Sequence, residues 1–190
     1  MPGRTPVEAF EAFIEPIQRA TSCLGAAKIV PSAGGRAEPG RPHAWSLNGL
    51  NGMTFPGGWQ FEAQMHYEIV QRPISREWKI ATLGYRYHLA LQGNPLWRLH
   101  WHPTVTSSYH LPHLHWNVPG LAGGAPVANM GDHFPVGRMT YEDAIEWVVT
   151  MVGCTPTRTD WRDVLSDSRD LHRRHRTWST VPPHVGPPGA

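Results

Sequence analysis

The sequence predicts an α+β fold: an antiparallel β-meander of about four strands, with an N-terminal helix and two C-terminal helices packed on one face. Three observations lead there. Residues 59–69 alternate strictly: Trp59, Phe61, Ala63, Met65, Tyr67 and Ile69 are apolar or aromatic, and Gln60, Glu62, Gln64, His66 and Glu68 between them are polar. That is the period of a strand buried on one side. Three more strand-like stretches follow, divided by turn residues. Apolar stripes with a helical period occur only before and after this block, and strands segregated from helices mark the α+β class.

Each element has local support. Thr5 can cap a helix, Pro6 suits its first position and Glu8 completes a capping box. Phe10, Phe13, Ile14 and Ile17 then form one stripe, with a kink or stop expected at Pro16. Residues 31–58 are rich in Pro, Gly and Ala and read as a linker or long loop. In residues 77–92, Leu83, Tyr85, Tyr87, Leu89 and Leu91 share one face, and Arg86, His88 and Ala90 share the other. Trp78 and Ile80 have the opposite parity, which a bulge near Gly84 reconciles. After a turn at Gly93-Asn94-Pro95, residues 96–102 place Trp97, Leu99 and Trp101 opposite Arg98, His100 and His102. Residues 109–116 supply a short fourth strand. Thr140 with Asp143 opens a helix carrying Ala144, Ile145, Val148, Val149 and Val152 and ended by Gly153. Thr159 or Asp160 opens another, with Trp161, Val164, Leu165 and Leu171 on one side. The expected organisation is a helical segment at 1–30, a linker at 31–58, an α+β domain at 59–178 and a disordered tail at 179–190.

Composition narrows the function classes. Only 17% of the 190 residues are charged, below the roughly 25% of soluble domains, and 12 His, 9 Trp, 19 Gly and 19 Pro fill the gap. A net charge of +2 rules out a strongly acidic or basic disordered chain, and the frequent Gly and Pro argue against a helical bundle. With Cys23 and Cys154 as its only cysteines, the chain has no disulfide scaffold and no Cys-based zinc site, and the two read as lone thiols. No run of about 18 apolar residues is present, so no membrane span is expected. Glu8, Glu11 and Glu15 interrupt what would be the apolar stretch of a leader. A cytoplasmic, prokaryotic-style protein is the expectation. P-loop, GxGxxG, HExxH and GxSxG motifs are missing.

Histidine carries the candidate chemistry. Residues two apart on a strand share a face, about 6.6–7 Å apart. His100 and His102 therefore project together beside Arg98, and His113 and His115 form a second pair. His88 can face the same surface from the preceding strand, and His110 and His133 are close in sequence. Such pairs suit zinc or manganese, because imidazole nitrogen is a good borderline ligand. They equally suit metal-free RNA cleavage, in which one imidazole takes the 2′-hydroxyl proton and another donates to the leaving oxygen. Arg98 or Arg86 would then meet the phosphoryl charge. The plainer alternative is a solvated sheet face whose imidazoles bond loop carbonyls, and for His66, Glu62 and Glu68 that explanation suffices. His172, His175 and His184 fall in a basic tail and look incidental. Trp59, Trp78, Trp97, Trp101, Trp147 and Trp161 read as core, whereas Trp45 and Trp116, in or beside loops, have the shape to stack on a base. Arg169, Arg173, Arg174 and Arg176 can contact phosphate or an acidic partner, but Asp160, Asp163, Asp167 and Asp170 among them favour ion pairs along a helix.

Several of these signals come in a familiar order: Tyr85-Arg86-Tyr87-His88-Leu89, Leu96-Trp97-Arg98-Leu99-His100, His102-Pro103, Pro112-His113-Leu114-His115, then the helix from Thr140. This order resembles the TumE-like toxin component of prokaryotic toxin–antitoxin systems, over residues 59–152. Leu114 stands where that pattern has a basic residue, and the N-terminal extension and last helix lie outside it. The resemblance implies a small α+β fold, a toxin activity with an antitoxin partner, and His113, His115 and Arg98 as the positions that matter.

Two functions of different class follow. One is a toxin-like or defence-related small nuclease acting on RNA. His100, His102, His113 and His115 would be general acid/base groups or, alternatively, zinc or manganese ligands, and Arg98 would bind phosphate. The other is a non-catalytic interaction module, whose sheet and helices form a complex with an antitoxin or other protein partner and whose histidines tune the interface to pH. A metal-dependent enzyme acting on a small molecule is a third. No membrane partner is expected.

Overall fold

The computed structural model describes residues 2–102, 110–117, 128–175 and 177–178. The chain runs α1 (Pro6–Thr21), β1 (Ile29–Pro31), β2 (Pro42–Leu47), a short 3-10 turn (Asn48–Leu50), β3 (Met53–Phe55), β4 (Trp59–Gln71), β5 (Trp78–Leu91), β6 (Asn94–Trp101), β7 (His113–Trp116), β8 (Phe134–Pro135), α2 (Tyr141–Val152), α3 (Trp161–His175) and β9 (Thr177–Trp178). The α+β class holds, but the sheet is larger than four strands. Among the described residues it has nine, ordered β1-β2-β4-β5-β6-β7-β8, with β3 beside β4 and β9 beside β5. Of the pairings among the described residues, only β5–β9 is parallel. The expected meander is its centre, β4 to β7.

Much of the enlargement comes from residues 31–58, where the expectation of a linker is corrected. β2 pairs with β4 from Pro42↔Glu68 to Ser46↔Gln64. His43, Trp45 and Leu47 are buried from it. The flanking Pro and Gly residues hid this short alternation. Trp45, expected beside a loop, is fully buried and meets Tyr141 edge-on at 5.2 Å. It is a core residue and does not stack on a base.

The predicted irregularities fall close to their places. The β4–β5 register slips between His66 and Tyr67, which face Gly84 and Thr82, so Leu83 is the extra residue of a bulge. A Cβ on Gly84 would lie 2.6 Å from the Trp101 carbonyl, so only glycine lets β6 approach there. The β5–β6 hairpin turns at Gln92 and Gly93, both at positive φ (51° and 79°), and β6 already begins at Asn94.

The helices share one core with the sheet, so residues 1–30 are not a segment apart. Thr5 accepts from the Glu8 N–H at 3.2 Å, and the Glu8 carboxylate accepts from the Arg4 N–H at 2.7 Å. The helix does not stop at Pro16 but continues to Thr21, with Pro16 buried and its carbonyl accepting the Ser168 hydroxyl at 2.9 Å. Phe10 and Phe13 of α1 lie 6.0 Å from the Tyr67 ring. In α2, capped by a complete Thr140–Asp143 box and ended by left-handed Gly153, Tyr141 meets Phe61 and Tyr87, and Trp147 meets Trp97. α3 packs on α1 and α2. Fully buried Phe61, Leu89 and Leu99 belong to this layer, and burying each contributes on the order of 1.5–3 kcal/mol. The helices thus cover the face formed by the odd-numbered residues of β4, of β6 and of β5 beyond its bulge, together with Ile80 and Thr82 before it. The even-numbered residues of β4, of β6 and of β5 beyond the bulge, the histidines among them, project from the other. No helix of the described residues is long and apolar enough to cross a membrane. The tail expected at 179–190, with His184, and Arg176 lie outside the described residues.

Candidate functional site

Strand pairing assembles the histidine face row by row. His88 on β5 faces Glu62 on β4 and Arg98 on β6, and Arg98 in turn faces His115 on β7. The neighbouring row runs Gln64, Arg86, His100 and His113. His102 follows β6, and His133 immediately precedes β8, which pairs with β7 at His113 and Leu114. Period-two alternation on adjacent strands therefore brings the two predicted pairs together and adds His88 and His133.

The rings are in mutual reach. Ligand nitrogens of His100, His102 and His113 all lie within 4.8 Å of one another, as do those of His113, His115 and His133. His113 belongs to both trios. Its Nδ1 lies 2.7 Å from the Leu111 carbonyl, which can only accept, so Nδ1 carries the proton and Nε2 holds the lone pair. Such a backbone bond fixes the tautomer of a ligating histidine. On the other side, Nε2 of His88 and Nε2 of His100 share a hydrogen bond of 2.6 Å. Glu62 stands 3.9 Å from Nδ1 of His88. Arg98 borders the centre between His88 and His115. Exposed His110 belongs to neither trio.

Burial favours the neutral form of four of these imidazoles. It is the largest cause that lowers His88 to about 4, with Arg98, Arg86 and His115 adding to it. His100 falls to about 2, by burial and then by the imidazoles of His88, His115, His113 and His102. Burial also brings His113 to about 4, although its bond to Leu111 acts the other way, and lowers His115. Neutral imidazoles are the form that binds a metal. Two clefts flank the centre. One of about 630 Å³ is lined by His66, Glu68, Arg86, His100 and His102. The smaller, about 180 Å³, lies at Glu62, His88 and Arg98.

Three residues escaped sequence reading. His133 was linked to the face only by proximity in sequence. His172 is no incidental tail residue: it is buried, with Nδ1 2.6 Å from Oε1 of Glu142 and Nε2 3.3 Å from the Phe13 carbonyl. Ser168 lies 2.7 Å from the same Glu142 oxygen. A signal existed, since Trp161, Leu165, Ser168 and His172 follow one helical stripe, and Glu142 shares one with Ile145 and Val149. Among the α3 arginines, Arg169 turns to α2, where it pairs with Asp143 at 2.8 Å and with Glu146. Trp116 remains partly exposed at the end of β7.

Comparison with family models, with curated proteins and with solved structures finds no match to this chain.

Proposed function

We propose that the chain is a toxin-like or defence-related nuclease acting on RNA, and that its histidine face holds a divalent zinc or manganese ion. The observation that carries this reading is the pair of imidazole trios sharing His113. Nitrogens on one tetrahedral zinc are about 3.4 Å apart, given bonds of about 2.0–2.1 Å, so small ring rotations bring either trio to an ion. One lone pair on His113 Nε2 serves one ion, which makes the trios two corners of a single centre.

An ion there would polarise a phosphoryl oxygen or lower the pKa of bound water. The chain's own groups do the rest. Arg98 offers a planar fork that matches phosphate oxygens. His88 orients the His100 ring through their hydrogen bond, and Glu62 stands behind His88. RNA is the favoured nucleic acid because its 2′-hydroxyl supplies an internal nucleophile beside the phosphate. The resemblance of the motif order to TumE-like toxins supports the same reading.

The test is cleavage of RNA by purified protein with zinc or manganese. Cleavage is expected, falling about a hundredfold in His113→Ala, the upper end of what loss of a metal ligand's supporting partner costs. RNA left intact with both metals across several pH values contradicts the reading. If the protein instead forms a stable metal-free heterocomplex, the interaction-module alternative takes its place.

A further inference from the structure

The larger cleft beside the histidine centre has a chemistry of its own. At about 630 Å³ it is of small-molecule size. The β5 bulge shapes it: Leu83, the extra residue, adds an apolar side chain to the lining, and Gly84 beside it lets the Trp101 carbonyl of β6 approach. Pro42 adds apolar surface from β2. Among the lining residues Glu68 is the one carboxylate and Arg86 the one guanidinium. They stand on β4 and β5, on the strand positions that share a face with His66, His88 and His100. The cleft ends at His100 and His102, which belong to one imidazole trio.

We infer that this cleft is a guanine pocket, which seats the base next to the scissile phosphate of RNA between Glu68 and Arg86. The inference rests on the nuclease reading for its substrate and on the cleft alone for its base. A carboxylate accepts two parallel hydrogen bonds, and among the RNA bases guanine presents two adjacent donors, its ring N1–H and exocyclic amine. A guanidinium matches the O6 and N7 acceptors of the same base. Adenine, cytosine and uracil each lack the paired donors. A base held here places its phosphate toward His100 and His102.

The test is titration of the unmodified chain with GMP, IMP and AMP. IMP differs from GMP only by the missing amine. GMP is expected to bind at least about tenfold more tightly than IMP or AMP, the scale of one good polar contact in base recognition. Glu68→Gln should remove the GMP-over-IMP preference. Oligoribonucleotides with one variable base should be cut fastest beside G. Equal binding of the three nucleotides overturns the pocket, and cleavage without base preference would then leave the nuclease reading standing alone. Preference for GMP without any cleavage of RNA supports the pocket and overturns the nuclease. Because the GMP–IMP comparison needs no variant, misfolding of Glu68→Gln cannot obscure it.

Discussion

His113 is the residue on which the site turns. Its backbone bond to Leu111 sets the tautomer, and its ring lies in both trios. The lowered pKa values of His88, His100 and His113 have a consequence for stability. In an unfolded chain these imidazoles titrate near 6.5, whereas folded His88 and His113 are lowered to about 4 and His100 to about 2. Between those limits the unfolded chain binds more protons, so stability rises with pH there. The penalty is nil above about 6.5 and grows as pH falls toward 4. With metal chelated, the urea midpoint is expected to drop steadily from pH 7 to pH 4.5, and less so in His88→Asn. An unchanged midpoint over that range contradicts the burial argument. The His-x-His pairs were legible because a strand repeats every two residues. The tautomer of His113 and the arrival of His133 were not, since both depend on contacts made outside the strand pattern.

At the scale of elements, α1, α2 and α3 are tied by a buried polar knot. Burial alone would raise the Glu142 carboxyl, but the His172 imidazole and the Ser168 hydroxyl more than offset it and hold it at about 2. Ser168 also reaches the Pro16 carbonyl, and His172 the Phe13 carbonyl, so each helix contributes. Removing the carboxylate orphans its partners. Glu142→Ala is expected to cost about 3–5 kcal/mol, as for broken buried ion pairs. Thr140→Ala, which removes only the α2 cap, should cost about 1 kcal/mol. Equilibrium unfolding in urea compares the two, and an equal cost for both would contradict the knot. The cap was readable from Thr140 and Asp143 because it is local. The knot joins residues 26 and 30 positions apart in sequence, and nothing local pairs them. Pro16 shows the reverse failure: a strong local stop signal yields to a helix held along its length by core contacts.

For the molecule as a whole, the class was legible because one period change separates strands from helices. The extent of the sheet was not. β2 is short and framed by Pro and Gly, yet Trp45 and Leu47 are fully buried in the core. Burial against β4 and α2 therefore outweighs the local turn signals. The sheet divides its faces: helices cover one, and histidines, arginines and two clefts occupy the other. This division gives the proposed metal centre rigid strands for support, and burial favours the neutral form of His100, His113 and His115. Binding of an ion to the folded chain alone would also stabilise it by mass action. Equilibrium dialysis against zinc, with metal counted per chain, tests the centre most directly. The account predicts one zinc per chain, lost in His113→Ala and weakened in both His102→Ala and His133→Ala. A chain that retains no zinc, or retains it equally when His113 is alanine, would contradict it.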